Sequence, residues 1–294
     1  MLDNLQLIPG EAFTATGSVV EKVIDKMSNF FVWMINPKQN KKYQLEAEAY
    51  LIEKIKNDDN MPELAKAVAI SNVRKIIKEY SNQANILSIA IGSIDENAEP
   101  ENLEDDWIAY FWEKAKVISR EDIAILWGQI LAKEINAPGT VSKALVHILS
   151  IIDYKDAITF VKLANFSVLV GDEYQVIVFN DRFHTLYSEY GLSSNDLISL
   201  EEAGLVQNSI VLYELELDED EKVIYFDNEI ELNNARRICI GNTLLTKAGR
   251  ELMSIITNKR KIDKFEKILA DIGRKDLAET VSDMLDKELF GEEM

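Results

Sequence analysis

An α+β fold, mainly α, is predicted by three features of this sequence. Apolar residues up to about position 165 recur at helical spacing, those from Phe166 onward alternate, and helical spacing returns toward the C-terminus. No internal repeat or low-complexity tract appears. At 294 residues, with 47% hydrophobic and 9% aromatic residues, the chain is large enough for more than one core.

The N-terminal region, 1–92, opens with an amphipathic helix over 16–35. Val19, Val23, Met27, Phe30, Phe31 and Met34 lie on one side, with Glu21, Lys22, Asp25 and Lys26 opposite. Asn36-Pro37 ends it, because proline disfavours helical geometry in the residue before it. Lys38, Lys41 and Lys42 follow, and helices are predicted over about 43–57 and 62–90. An acidic, Pro-containing stretch, 93–104, reads as a linker. A central four-helix unit spans 105–165. In it Ser119 with Asp122, and Asp153 with Asp156, stand in capping-box relation, and Ser142 is positioned to cap a third helix.

Within that unit Gly128 follows Trp127 in mid-helix, at a cost of about 1 kcal/mol relative to Ala. Close approach of another backbone is the simplest reason for it, so this point is read as a packing joint and not as a site. Pro138-Gly139 then breaks the helix.

Residues 166–257 read as a winged-helix-like module. "FSVLVGDEYQVIVF" offers one or two strands, and "LSSNDLISLEEAGLV" a capped helix closed by Gly204. "IVLYELELDEDEKVIYF" reads as a hairpin about an acidic turn, "RRICIG" as a strand and "LTKAGRELMSII" as a helix. A helical tail occupies 258–294.

Charge separates the functional classes. The net charge is -19. Residues 1–92 hold eleven Lys/Arg and eleven Asp/Glu, so the whole excess lies in 93–294. An acidic body repels phosphate backbones and anionic headgroups. In the winged-helix-like stretch 193–256, five basic residues face thirteen acidic ones. Arg236, Arg237, Lys247 and Arg250 are its basic group and the candidate nucleic-acid contacts of the alternative reading, a DNA-binding regulator.

No catalytic, cofactor-binding or metal-binding residue is predicted. One cysteine and two histidines exclude a disulfide framework and a Cys/His-rich zinc site. Walker, G-x-G-x-x-G and H-E-x-x-H motifs are absent. Asp220-Glu221-Lys222 is explained by a solvated turn, His147 and His184 by surface or hydrogen-bonded core positions, and Cys239 by a buried strand position. A cryptic hydrolase built from scattered carboxylates is the remaining enzymatic alternative. No apolar run approaches the length needed to span a bilayer, and no leader pattern opens the chain, so a cytoplasmic setting is expected.

The stretch "DDWIAYFWEKAKVISREDIAILWGQILAKEINAPGTVSKALVHILSIIDYKDAITFVKLANF" and the downstream "LTKAGRELMSII" resemble an uncharacterised bacterial family, one of the domains of unknown function. Over 16–90 the layout is similar, more loosely, to the abortive-infection alpha proteins. Only Gly17 stands where those relatives have a glycine-rich amphipathic segment. The resemblance implies a non-enzymatic antiviral-defence protein that acts through a protein partner or a homo-oligomer and, on activation, the inner surface of the membrane. Phe30, Phe31, Trp33, Lys38, Lys41 and Lys42 are the candidate membrane or partner contacts. In the resting protein the first helix is expected to pack against residues 43–90.

Overall fold

The computed structural model describes residues 17–28, 40–179, 185–218, 221–230, 237–256 and 259–272. The fold is α+β, mainly α. The described residues divide into two compact units, one up to residue 150 and the other from 151 onward.

The first unit contains α1 (Gly17–Ser28), α2 (Asn40–Lys56), α3 (Glu63–Ile91), a 3-10 turn (Pro100–Asn102), α4 (Asp105–Ala115), α5 (Glu121–Asn136) and α6 (Lys143–Ile151). Its core forms where the second half of α3 lies on α5. Ile86, Leu87 and Ala90 are buried there, as are Ala124, Trp127 and Leu131. Phe111 of α4 joins the two, stacking on Trp107 at 5.1 Å between ring centroids and meeting Trp127 at 5.2 Å. The Trp107 indole N–H donates to the Val141 carbonyl at 2.7 Å, so its one polar atom is satisfied in the core.

Two expectations for this unit need correction. The main neighbour of α1 is the 3-10 turn and not residues 43–90. Val19, Val23 and Met27 are buried, while Lys22 reaches Glu101 at 3.1 Å and Lys26 reaches Asp105 at 2.7 Å. Burial of these three apolar residues holds α1 in place, and the exposed pairs to Glu101 in the turn and to Asp105 at the start of α4 add little. That stretch is also folded: Ile94, Ala98, Pro100 and Leu103 are buried, and Asn136 at the end of α5 bonds both Asp95 N–H and the Ser93 carbonyl. Its polar composition conceals an apolar residue every two to four positions.

Capping also differs. Arg120, not Ser119, is the residue before α5, and its guanidinium takes the Asp122 carboxylate at 2.7 Å. That pairing holds the Asp122 carboxyl below its ordinary range, with the Arg120 hydrogen bond the largest cause. Asp156 likewise accepts from the Ser199 hydroxyl at 2.6 Å in place of a capping box with Asp153. Ser142 caps as expected, accepting from Leu145 N–H.

The second unit contains α7 (Tyr154–Ala164), β1 (Ser167–Val170), β2 (Glu173–Val176), α8 (Thr185–Glu189), α9 (Ser194–Glu202), β3 (Val206–Glu216), β4 (Val223–Tyr225), β5 (Asn228–Glu229), β6 (Arg237–Leu245), α10 (Lys247–Met253) and α11 (Asp263–Ile272). An antiparallel sheet has the order β2-β1-β4-β5, and β3 pairs antiparallel with β6. Helix α9 carries a complete capping box from Ser193 and Asp196 and is closed by Gly204, at φ 77°. Gly241, at φ 93°, bridges to Val178; a Cβ there would lie 2.1 Å from the Val178 carbonyl oxygen, so only glycine fits.

The hairpin expected between β3 and β4 does not form. β3 pairs with β6, placing Glu216 opposite Arg237, and β4 pairs with β1 and β5. Alternation fixes which face of a strand is apolar but not its neighbour, and the buried strand β6 supplies an oppositely charged partner at the register end. β3 and β4 therefore belong to different sheets. A cluster of Phe166, Tyr187, Tyr225 and Phe265 fills the core beneath, with ring centroids 4.9–5.3 Å apart.

Candidate functional site

The residues singled out from the sequence do not converge. Phe30, Phe31, Trp33, Lys38, Arg236 and His184 lie outside the described residues, and Lys41 and Lys42 fall in the first turn of α2. Of the basic group, Arg237 pairs with Glu216, Lys247 lies 3.9 Å from Glu251, and Arg250 lies 3.6 Å from Glu173 while donating to the Leu245 carbonyl. Each of these three cations already faces a carboxylate. His147 is exposed, Cys239 is buried in β6, and Lys222 reaches Glu229 at 2.6 Å. Among the described residues no group of His, Cys, Asp or Glu is arranged to hold a metal ion.

The Trp-Gly pair is a joint. A Cβ on Gly128 would lie 2.5 Å from Cγ2 and 2.7 Å from Cβ of Ile89, and 3.2 Å from the Ile86 carbonyl oxygen. The absent side chain is what lets α3 and α5 touch. Ten residues on, the Pro-Gly break is held by Glu134, whose buried carboxylate accepts from Gly139 and Val141 N–H, both at 2.7 Å. Burial pushes the Glu134 carboxyl up, and the backbone donors pull against it. All its strong bonds go to the turn, so it fastens the turn and offers nothing to a substrate.

Sequence patterns gave no sign of Lys259. Its ammonium lies 3.6 Å from the Tyr174 ring centroid and donates to the Ser167 hydroxyl at 3.2 Å. Burial pushes its pKa down to about 8. A lysine beside a serine is the composition of a hydrolytic pair. Here, however, Ser167 is buried and its own proton goes to the Ala164 carbonyl at 2.8 Å. The adjoining bonds have the same sense: Arg260 N–H donates to Asn165 Oδ1 and Ile262 N–H to the Tyr225 hydroxyl, which donates to the Asn165 carbonyl. These contacts clasp the segment before α11 onto the start of β1.

The α2–α3 hairpin is different, because its apolar side chains are uncovered. Its turn is set by Asp58, which accepts from Asn60 N–H, and by Pro62 immediately before α3. Lys66 ties the helices together, donating to the Lys56 carbonyl and to Glu63, and Arg74 lies 3.7 Å from Glu48. No residue from 44 to 81 is buried. Leu45 is 63% exposed, Leu64 78%, and Tyr50, Val68 and Ile76 each more than half. A groove of about 460 Å³ runs along α2, lined by Leu45, Glu48, Ala49, Ile52, Glu53 and Lys56 among others.

A family described as a protein of unknown function, DUF2806, matches residues 71–269. The chain belongs to the DUF2806 family. No curated protein and no solved structure matches it. The DUF2806 match takes in the Gly128 joint, the Glu134 turn and the Lys259 clasp, together with α3 from Ser71 onward. The groove on α2 and the exposed Leu64 and Val68 precede it. Periodicity located these helices, but whether an apolar stripe is covered depends on tertiary neighbours that no local pattern encodes.

Proposed function

We propose that this DUF2806 member is a non-enzymatic protein of bacterial antiviral defence that works by protein contact, with the α2–α3 hairpin as its contact surface. The observation that carries this reading is the hairpin itself, whose apolar residues are exposed along both helices. Exposed apolar patches of this kind mark interaction surfaces. The defence assignment rests on the resemblance of residues 16–90 to abortive-infection alpha proteins. No helix among the described residues is long and apolar enough to cross a membrane. In this proposal the protein works in the cytoplasm and reaches the inner membrane surface only after α1 leaves the 3-10 turn, bringing Phe30, Phe31 and Trp33 with Lys38, Lys41 and Lys42 to the headgroups.

The test is a plaque assay in bacteria producing the full chain or its Leu64→Glu/Val68→Glu variant. Both positions are exposed, so the variant folds. Protection by the wild type and its loss in the variant at equal protein level is the expected result. Equal protection by both would remove the hairpin from the mechanism.

A further inference from the structure

We infer that the occupant of the α2–α3 hairpin is a second copy of the same chain, packed antiparallel so that the tip of one hairpin lies on the base of the other. This rests on the reading of the hairpin as a contact surface and names its partner.

The first support is charge. Residues 40–80 carry eight Lys/Arg and seven Asp/Glu, whereas residues 93–150 carry five against eleven. Two copies of an acidic chain therefore meet with least repulsion along the hairpin. The hairpin is also polar along its length. Arg74, Lys75, Lys78 and Glu79 of α3 with Lys41, Lys42, Glu46 and Glu48 of α2 give the base a net charge of +2, and Glu53, Asp58, Asp59 and Glu63 with Lys54, Lys56 and Lys66 give the tip a net charge of -1. Parallel pairing would set acidic tip on acidic tip and basic base on basic base. Antiparallel pairing sets opposite signs together, and it separates the two bases by about 25 Å, several Debye lengths at physiological salt.

The second support is geometry. Two helices cannot cover one another's apolar residues on all sides, and two such hairpins complete a four-helix bundle. The face available is about 25 Å by about 20 Å, so two copies together cover roughly 1,000 Å², the size of a weak, reversible interface. An antiparallel pair is two-fold symmetric, so each contact occurs twice. The groove along α2, beside Leu45 and Ala49, receives apolar side chains from the partner's hairpin.

The test is sedimentation equilibrium on the full chain and four variants, with circular dichroism to verify helix content. A dimer is expected below about 100 μM. Leu45→Glu/Ala49→Glu, at two exposed positions, is expected to be monomeric with unchanged helix content. Asp59→Lys/Glu63→Lys and Lys75→Glu/Lys78→Glu should each weaken the dimer by about tenfold, and combining the four changes should restore it. A wild-type monomer throughout, a dimer that survives Leu45→Glu/Ala49→Glu, or a combined variant weaker than either pair would each overturn the inference. Its failure is distinguishable from failure of the contact reading. A monomeric wild type whose Leu64→Glu/Val68→Glu variant loses protection keeps the contact and discards the second copy. A dimer whose monomeric variant still protects keeps the second copy and discards the contact as the functional one.

Discussion

Replacing Gly128 by alanine opposes two effects of known size. Alanine favours helix by about 1 kcal/mol over glycine, which alone would stabilise α5. Its Cβ would lie 2.7 Å from Ile89 Cβ and 2.5 Å from Cγ2. A rotamer change moves Cγ2 but leaves Ile89 Cβ in place, since that atom is fixed to the α3 backbone. Relief requires α3 and α5 to separate by about 1 Å, at a cost in the upper part of the usual 1–3 kcal/mol for overpacking. The net is a destabilisation of about 1–2 kcal/mol, which lowers the melting temperature by roughly 3–8 °C for a unit of this size. Urea unfolding monitored by tryptophan fluorescence measures it, since Trp107, Trp112 and Trp127 all report on this core. Ile89→Ala should cost less in the Gly128→Ala background than alone, because it removes one of the two clashing atoms. A Gly128→Ala protein as stable as wild type or more so would show that propensity alone governs the site and that no close approach exists.

Three further outcomes are expected. Glu134→Ala should destabilise the chain by about 1–3 kcal/mol in urea titration, because the buried Val141 N–H loses its acceptor; an unchanged midpoint would mean the turn holds itself. Lys259 has a folded pKa of about 8 against an ordinary 10.5. Both states are protonated below pH 8 and the burial cost stands in full; as pH rises from 8 toward 10.5 only the folded state loses the proton, so stability rises. Relative to Lys259→Met, which lacks this proton, wild type should gain about 1 kcal/mol between pH 7.5 and 9.5 after discounting for partial exposure, and parallel pH dependences would refute the burial. Gel-shift assays at physiological salt should show no duplex DNA binding; sub-micromolar binding lost in Arg237→Glu or Lys247→Glu would restore the regulator reading.

The elements that could be read from the sequence were those specified by local chemistry. The capped helix closed by Gly204 and the spacing of α4 to α7 depend on residues within a few positions of each other, although the boxes expected at Ser119 and Asp153 did not form. Gly128 was legible for a related reason, since a glycine in a good helix context signals an approach even though Ile89 cannot be named from it. Strand partners were not legible, because β3 offered the same alternation to β4 and β6 and the choice was made by burial of β6 and by Arg237. The acidic 93–104 stretch was misread because composition outweighed four buried residues in it. Lys259 was invisible, since its environment is assembled from Ser167 and Tyr174, some ninety positions earlier in the chain.

Helix α3 runs from Glu63 to Ile91 with no glycine or proline in it. It is therefore a stiff rod without a hinge. From Val68, in the open, to Ile89, against Gly128, the rod measures about 32 Å. A sideways push at the outer end acts as on a lever whose fulcrum is the close approach of Ile89 to Gly128. Any load on the outer end therefore passes along an unbroken helix to the α3–α5 seam.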